Sequence, residues 1–81
     1  MSRRLRWRYD PTLDRVVFKA YVPGEEGTAA VRLMTGAELI ALADDHSHRI
    51  LRSLKRMVES HMPVGRETEA DPELLALLGI D

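Results

Sequence analysis

The sequence predicts an α+β fold: a three-stranded antiparallel meander packed on one long helix, with a short C-terminal helix, in the order β-β-β-α-α. Three observations carry this. Residues 4–9 and 15–22 alternate with a period of two, Thr35 and Glu38 match a helix capping box, and apolar residues then recur at three- and four-residue spacing. The 81 residues are 44% hydrophobic and 31% charged, which suits one small soluble domain. We read residues 1–66 as that domain and 67–81 as a linker with a short apolar helix.

In the first strand, Leu5, Trp7 and Tyr9 alternate with Arg4, Arg6 and Arg8; in the second, Val16, Phe18, Ala20 and Val22 alternate with Arg15, Val17, Lys19 and Tyr21. Asp10 and Pro11 open the turn between them, since Pro presets the first central dihedral and Asp accepts backbone hydrogen bonds. Bringing Trp7 and Phe18 to one face requires opposed residue numbers with an odd sum, hence a connection of four or six residues. Pro23 and Gly24 suit the centre of a type II turn leading into a third strand at 28–34, with Ala29, Val31 and Leu33 expected inward.

Thr35 accepting from the Glu38 amide, with Glu38 reaching back, starts the long helix, and Met34 and Leu39 supply its hydrophobic staple. Its stripe runs through Ile40, Ala43, Ser47, Ile50, Leu54, Met57 and His61, widened by Leu51 and Val58. Pro63 and Gly65 end it near Met62, and residues 44–48 are a possible break. After a polar linker at 67–70, Asp71 caps a helix with Pro72 in its first turn and Gly79 as its stop.

The formal net charge of −1 hides a segregated pattern. Residues 1–19 carry six cations against two anions, residues 20–48 one against five, 49–62 four against one, and 63–81 one against five. Such alternation makes a near-neutral chain locally dipolar, so an anionic partner stays open to it. Ten of its twelve basic residues are Arg, a bias that, with abundant Ala and Leu, points to a GC-rich bacterial or phage gene.

By parity, Arg4, Arg6, Arg8, Arg15, Lys19 and Arg32 share the outer face of the sheet and form the candidate polyanion site. Like charges on opposed strands call for compensation, from nucleic-acid phosphates or an acidic protein, or from the chain's own acidic C-terminal block. Arg49, Arg52 and Arg56 form a secondary basic face on the long helix. Leu74, Leu75, Leu77, Leu78 and Ile80 crowd five large apolar side chains into seven residues, a candidate partner-docking element. The late apolar half of the long helix is expected to pair with a second copy as a homodimer.

Other chemistries find little purchase. Without Cys there is no disulfide, thiolate metal site or Cys nucleophile. Asp44, Asp45, His46 and His48 cluster in sequence, yet His46 and His48 diverge on a helix, so they assemble no three-ligand site locally. Ser47–His48 and Ser60–His61 are chain neighbours whose side chains diverge and form no nucleophile–base pair. No Gly-rich phosphate loop is present. We therefore expect no enzyme, cofactor or metal, and no membrane span or signal segment, which makes the cytoplasm the default compartment. The β-β-β-α order is similar in outline to the small arm-binding domains of phage-type integrases, which present a three-stranded sheet to DNA; this resemblance covers element order alone. The expected function is a non-enzymatic module that binds nucleic acid or a nucleoprotein through the Arg face. The alternative is a protein-interaction or assembly module, such as a phage-encoded inhibitor of a host protein or a small structural subunit.

Overall fold

The computed structural model describes residues 3–80, without the side chains of Glu26 and Thr28. Its elements are β1 (Arg4–Asp10), β2 (Arg15–Val22), β3 (Glu25–Thr35), α1 (Gly36–Asp45), α2 (Arg49–Glu59), β4 (Val64–Glu69) and α3 (Pro72–Leu78). The fold is α+β, with a four-stranded antiparallel sheet in the order β3-β2-β1-β4. One face packs Leu5, Trp7, Tyr9, Val16, Phe18, Ala20 and Met34 against apolar residues of all three helices, and the other face is open.

The first hairpin follows its sequence signals. Trp7 opposes Phe18 and Asp10 opposes Arg15, so opposed numbers sum to an odd value across a four-residue connection. Asp10 Oδ1 accepts the Thr12 amide at 2.9 Å, which draws the turn closed. Asp14 leaves it at φ 49°, in the left-handed region that Asp tolerates better than most residues. From there its Oδ1 accepts the Tyr9 hydroxyl at 3.1 Å, and its carbonyl accepts the Gly36 amide at 3.2 Å.

The third strand lies the other way up from expectation. An unbroken two-residue turn would oppose Phe18 to Ala29 and put Ala29, Val31 and Leu33 inward. An irregularity between Ala20 and Val22 instead shifts the pairing so that Phe18 opposes Arg32 and Val16 opposes Met34. An odd shift exchanges the two faces of a strand. Met34 is therefore buried, while Val31 and Leu33 stand on the open face, 59% and 57% exposed.

Two helices replace the expected long one. Thr35 and Glu38 form the capping box of α1, which ends at Asp45. His46 and His48 adopt extended backbone, and His48 caps α2 by accepting the Ile50 amide at Nδ1. Leu39, Ala43, Leu51, Leu54 and Val58 are buried in the core. The late helical stripe expected to pair two copies is thus turned onto the chain's own sheet, because the break lets α2 fold back over it. At the end of α2 the Met62 amide reaches the Met57 carbonyl and the His61 amide that of Val58, with His61 at φ 54°. This is a Schellman closure with His where Gly is usual.

Residues 67–69, read as linker, belong to β4, which pairs with β1 from Arg4↔Glu69 to Tyr9↔Val64. After β4, α3 follows as expected. Asp71 Oδ1 accepts the Glu73 amide, Pro72 sits in the first turn, and Gly79 closes the helix at φ 74°. Among the described residues, no helix is long and apolar enough to cross a membrane.

Candidate binding face

Strand parity and the register together set the open face of the sheet. Directly opposed residues share a face, which yields cross-strand rows. One row runs Leu33, Val17, Arg8, Gly65; the next runs Val31, Lys19, Arg6, Glu67; a third joins Tyr21, Arg4 and Glu69. Arg15 lies opposite Asp10 and Thr35 on the same face. Five of the six predicted cations, Arg4, Arg6, Arg8, Arg15 and Lys19, are therefore brought together. Arg32 is not: the irregularity in the β2–β3 ladder turns it to the helix side, where it stays exposed at the sheet's edge.

The face is graded rather than uniformly basic. Glu67 receives Arg6 at 3.3 Å and Arg4 at 3.6 Å, and it accepts the Tyr21 hydroxyl. Its carboxyl is held below the usual carboxylate range, first by the Tyr21 hydrogen bond and then by Arg6 and Arg4, which outweigh desolvation. In return, the bond to Glu67 raises the Tyr21 phenol above its ordinary value. The Arg6 guanidinium and the Lys19 ammonium lie 5.4 and 5.8 Å from the Tyr21 ring centroid, within cation–π range. Among the described residues, Arg8 and Arg15 form no ion pair. Beside them lie exposed Leu33, half-buried Val17 and, from the first turn, exposed Leu13.

Arg49, Arg52 and Arg56 do share the solvent side of α2, where with Ser47, Lys55 and Glu59 they line a cleft of about 520 Å³. Lys55 Nζ donates to Asp44 Oδ1 at 2.5 Å across the break between α1 and α2, and that hydrogen bond raises its pKa. Because the helices cover the opposite side of the sheet, this basic surface and the open sheet face are separate surfaces.

Of the leucine-rich segment, Leu74, Leu75, Leu78 and Ile80 are buried in the chain's own core, and Leu77 is half-buried against it. The docking surface that the spacing suggested is consequently absorbed by the fold.

One titratable constellation escaped the sequence reading. His48 Nε2 lies 2.9 Å from Asp71 Oδ2, and with Glu73 these residues offer ligand atoms within 4.8 Å of one another beside a cleft of about 580 Å³. Since Nδ1 accepts the Ile50 amide, the ring proton of neutral His48 sits on Nε2 and is donated to Asp71. Both ring nitrogens are thereby committed, Nδ1 to capping α2 and Nε2 to tying it to α3, and a metal ion would have to displace one of these bonds. His46 and Asp45 do not join this group.

Sequence reasoning also missed the roles of Glu67 and Tyr21. The acidic character of the C-terminal block was visible, and it does neutralise part of the Arg face. Which carboxylate reaches which guanidinium depended on an unrecognised strand. Comparison with family models, curated proteins and solved structures finds no match for this chain.

Proposed function

We propose that this chain is a non-enzymatic binding module that docks an acidic protein surface on its open sheet face. The supporting observation is the row Leu33, Val17, Arg8: an apolar strip abutting cations on neighbouring strands, with Arg15 beside it and Glu67 and Glu69 at the β4 side. Mixed aliphatic and Arg/Tyr surfaces suit protein partners, whose interfaces combine apolar contact with charge complementarity. A polyphosphate has no use for the apolar strip. Nucleic acid stands as the second reading, favoured by Arg8 and Arg15 lacking ion pairs on adjacent strands.

Titrating an acidic polypeptide and labelled oligonucleotides at about 50 and 200 mM salt separates the two, because phosphate contacts release counterions and lose affinity steeply with salt. We expect polypeptide binding that falls both in Arg8→Glu and in Leu33→Ser. Oligonucleotide binding with a steep salt slope and no response to Leu33→Ser would transfer the face to nucleic acid. No binding to either probe rejects both readings.

A further inference from the structure

The two edges of the sheet are unlike. The β4 edge is six residues long and carries Gly65, Arg66, Glu67 and Glu69, the short charged kind of edge that resists pairing. The β3 edge is eleven residues long, has no Pro or Lys, and displays Val31 and Leu33 at 59% and 57% exposure. Among the described residues, no other strand leaves a free row of backbone donors and acceptors of that length.

The ladder tells which β3 residues own those groups. Asp14 and Gly36 continue the β2–β3 register, and the Gly36 amide donates to the Asp14 carbonyl, so the hydrogen-bonded pairs are the even-numbered ones. Odd-numbered residues of β3 accordingly aim N–H and C=O at the free edge. Thr35 fits this parity, since its amide is taken by Glu38 Oε1 at 3.2 Å rather than by β2. That closes the far end of the edge and leaves Ala29, Val31 and Leu33 as its open positions.

We propose that two copies of this chain pair antiparallel along these edges, about a two-fold axis at Val31, to make one continuous eight-stranded sheet. Two-fold pairing opposes Val31 to Val31 of the second copy and Leu33 to Ala29, a β-branched pair flanked by large-against-small pairs on the open face. Centring on Leu33 would need the Thr35 amide already held by Glu38, and centring on Ala29 would set Leu33 against Glu25. In this register Arg32 faces Ala30 of the second copy, so no like charges are directly opposed. The proposal concerns the edge, and it holds whatever docks on the open face.

Light scattering over a tenfold concentration range should show a dimer. Val31→Pro removes an amide that β2 does not use, so it should give a folded monomer with the native circular dichroism; Val31→Lys, opposing like charges, should do the same without altering backbone chemistry. The chain has no Cys, so Val31→Cys introduces a lone thiol. Hydrogen-bonded antiparallel partners sit about 5.5 Å apart at Cα, within disulfide reach, and oxidation should cross-link most of the Val31→Cys protein but not Arg32→Cys. A strictly monomeric native protein overturns the proposal. So does a dimer that survives Val31→Lys, or equal cross-linking of the two Cys variants.

Discussion

His48 donates from Nε2 to Asp71 Oδ2 at 2.9 Å, and each of these two residues is the N-cap of its own helix. The hydrogen bond therefore ties the start of α2 to the start of α3, 23 residues later in the chain. Its two ends do separable work. Nδ1 satisfies the Ile50 amide within α2, and Nε2 holds α3 against the core.

Replacing His48 separates these contributions. His48→Ala removes the cap and the tie together, and the cap alone is worth ~1 kcal/mol. His48→Asn restores a good cap but is too short to reproduce the imidazole's link to Asp71. Urea unfolding should rank the native protein above His48→Asn, and His48→Asn above His48→Ala.

Acid sensitivity follows from the same carboxylate. Hydrogen bonds from His48 and from the Glu73 amide hold Asp71 below its ordinary value of 3.8, against a smaller desolvation effect. Its folded pKa is depressed, so the stability it contributes is complete above the unfolded value and is lost as pH falls through the folded one. Glu67 has the same sign from its usual 4.5 downward. Stability measured between about pH 5 and 2 should fall less steeply in Asp71→Asn than in the native protein.

The two tyrosines should titrate above their ordinary value for different reasons. Tyr9 is raised mainly by burial, then by its hydrogen bond to Asp14, whereas Tyr21 is raised mainly by its hydrogen bond to Glu67. In an alkaline absorbance titration, Glu67→Leu should bring one of the two phenols down toward 10 and leave the other raised. A spectrum in which both move together would contradict the separate environments.

Gly36 has no room for a side chain. A Cβ there would lie 2.2 Å from Asp14 Oδ1 and 2.8 Å from Val58 Cγ1. Gly36→Ala should therefore destabilise by about 1–3 kcal/mol through overpacking, an effect partly relieved in the double variant with Asp14→Gly, which removes one of the two clashes. At His61 the opposite holds. Its left-handed backbone costs a non-glycine residue about 1–2 kcal/mol, so His61→Gly should raise the melting temperature despite a more flexible unfolded chain.

Truncation after Ala70 should abolish cooperative unfolding. It removes Leu74, Leu75, Leu78 and Ile80 from the core, and even one large-to-small change there costs about 2–5 kcal/mol. A truncated chain that still melts cooperatively would mean that α3 is an appendage.

Local chemistry determined what the sequence shows openly: the alternation of β1 and β2, the Asp10 turn and its odd register, the Thr35–Glu38 capping box, and the Asp71-Pro72 start and Gly79 stop of α3. Each depends on residues within a few positions of one another, where sterics and a single hydrogen bond decide the outcome. Tertiary structure alone decided the rest. The polar stretch ending in Glu67 and Glu69 becomes a strand only because β1 offers it an unpaired edge, and that pairing delivers Glu67 to Arg4, Arg6 and Tyr21. One irregularity between Ala20 and Val22 took Arg32 off the basic face and put Val31 and Leu33 on it, since strand parity transmits a local shift to every side chain beyond it. The terminal leucines and the late helical stripe read as sticky in isolation; the break at residues 46–48 turns the stripe into the core, α3 after β4 carries the leucines there, and burying apolar surface internally outweighs leaving it for a partner.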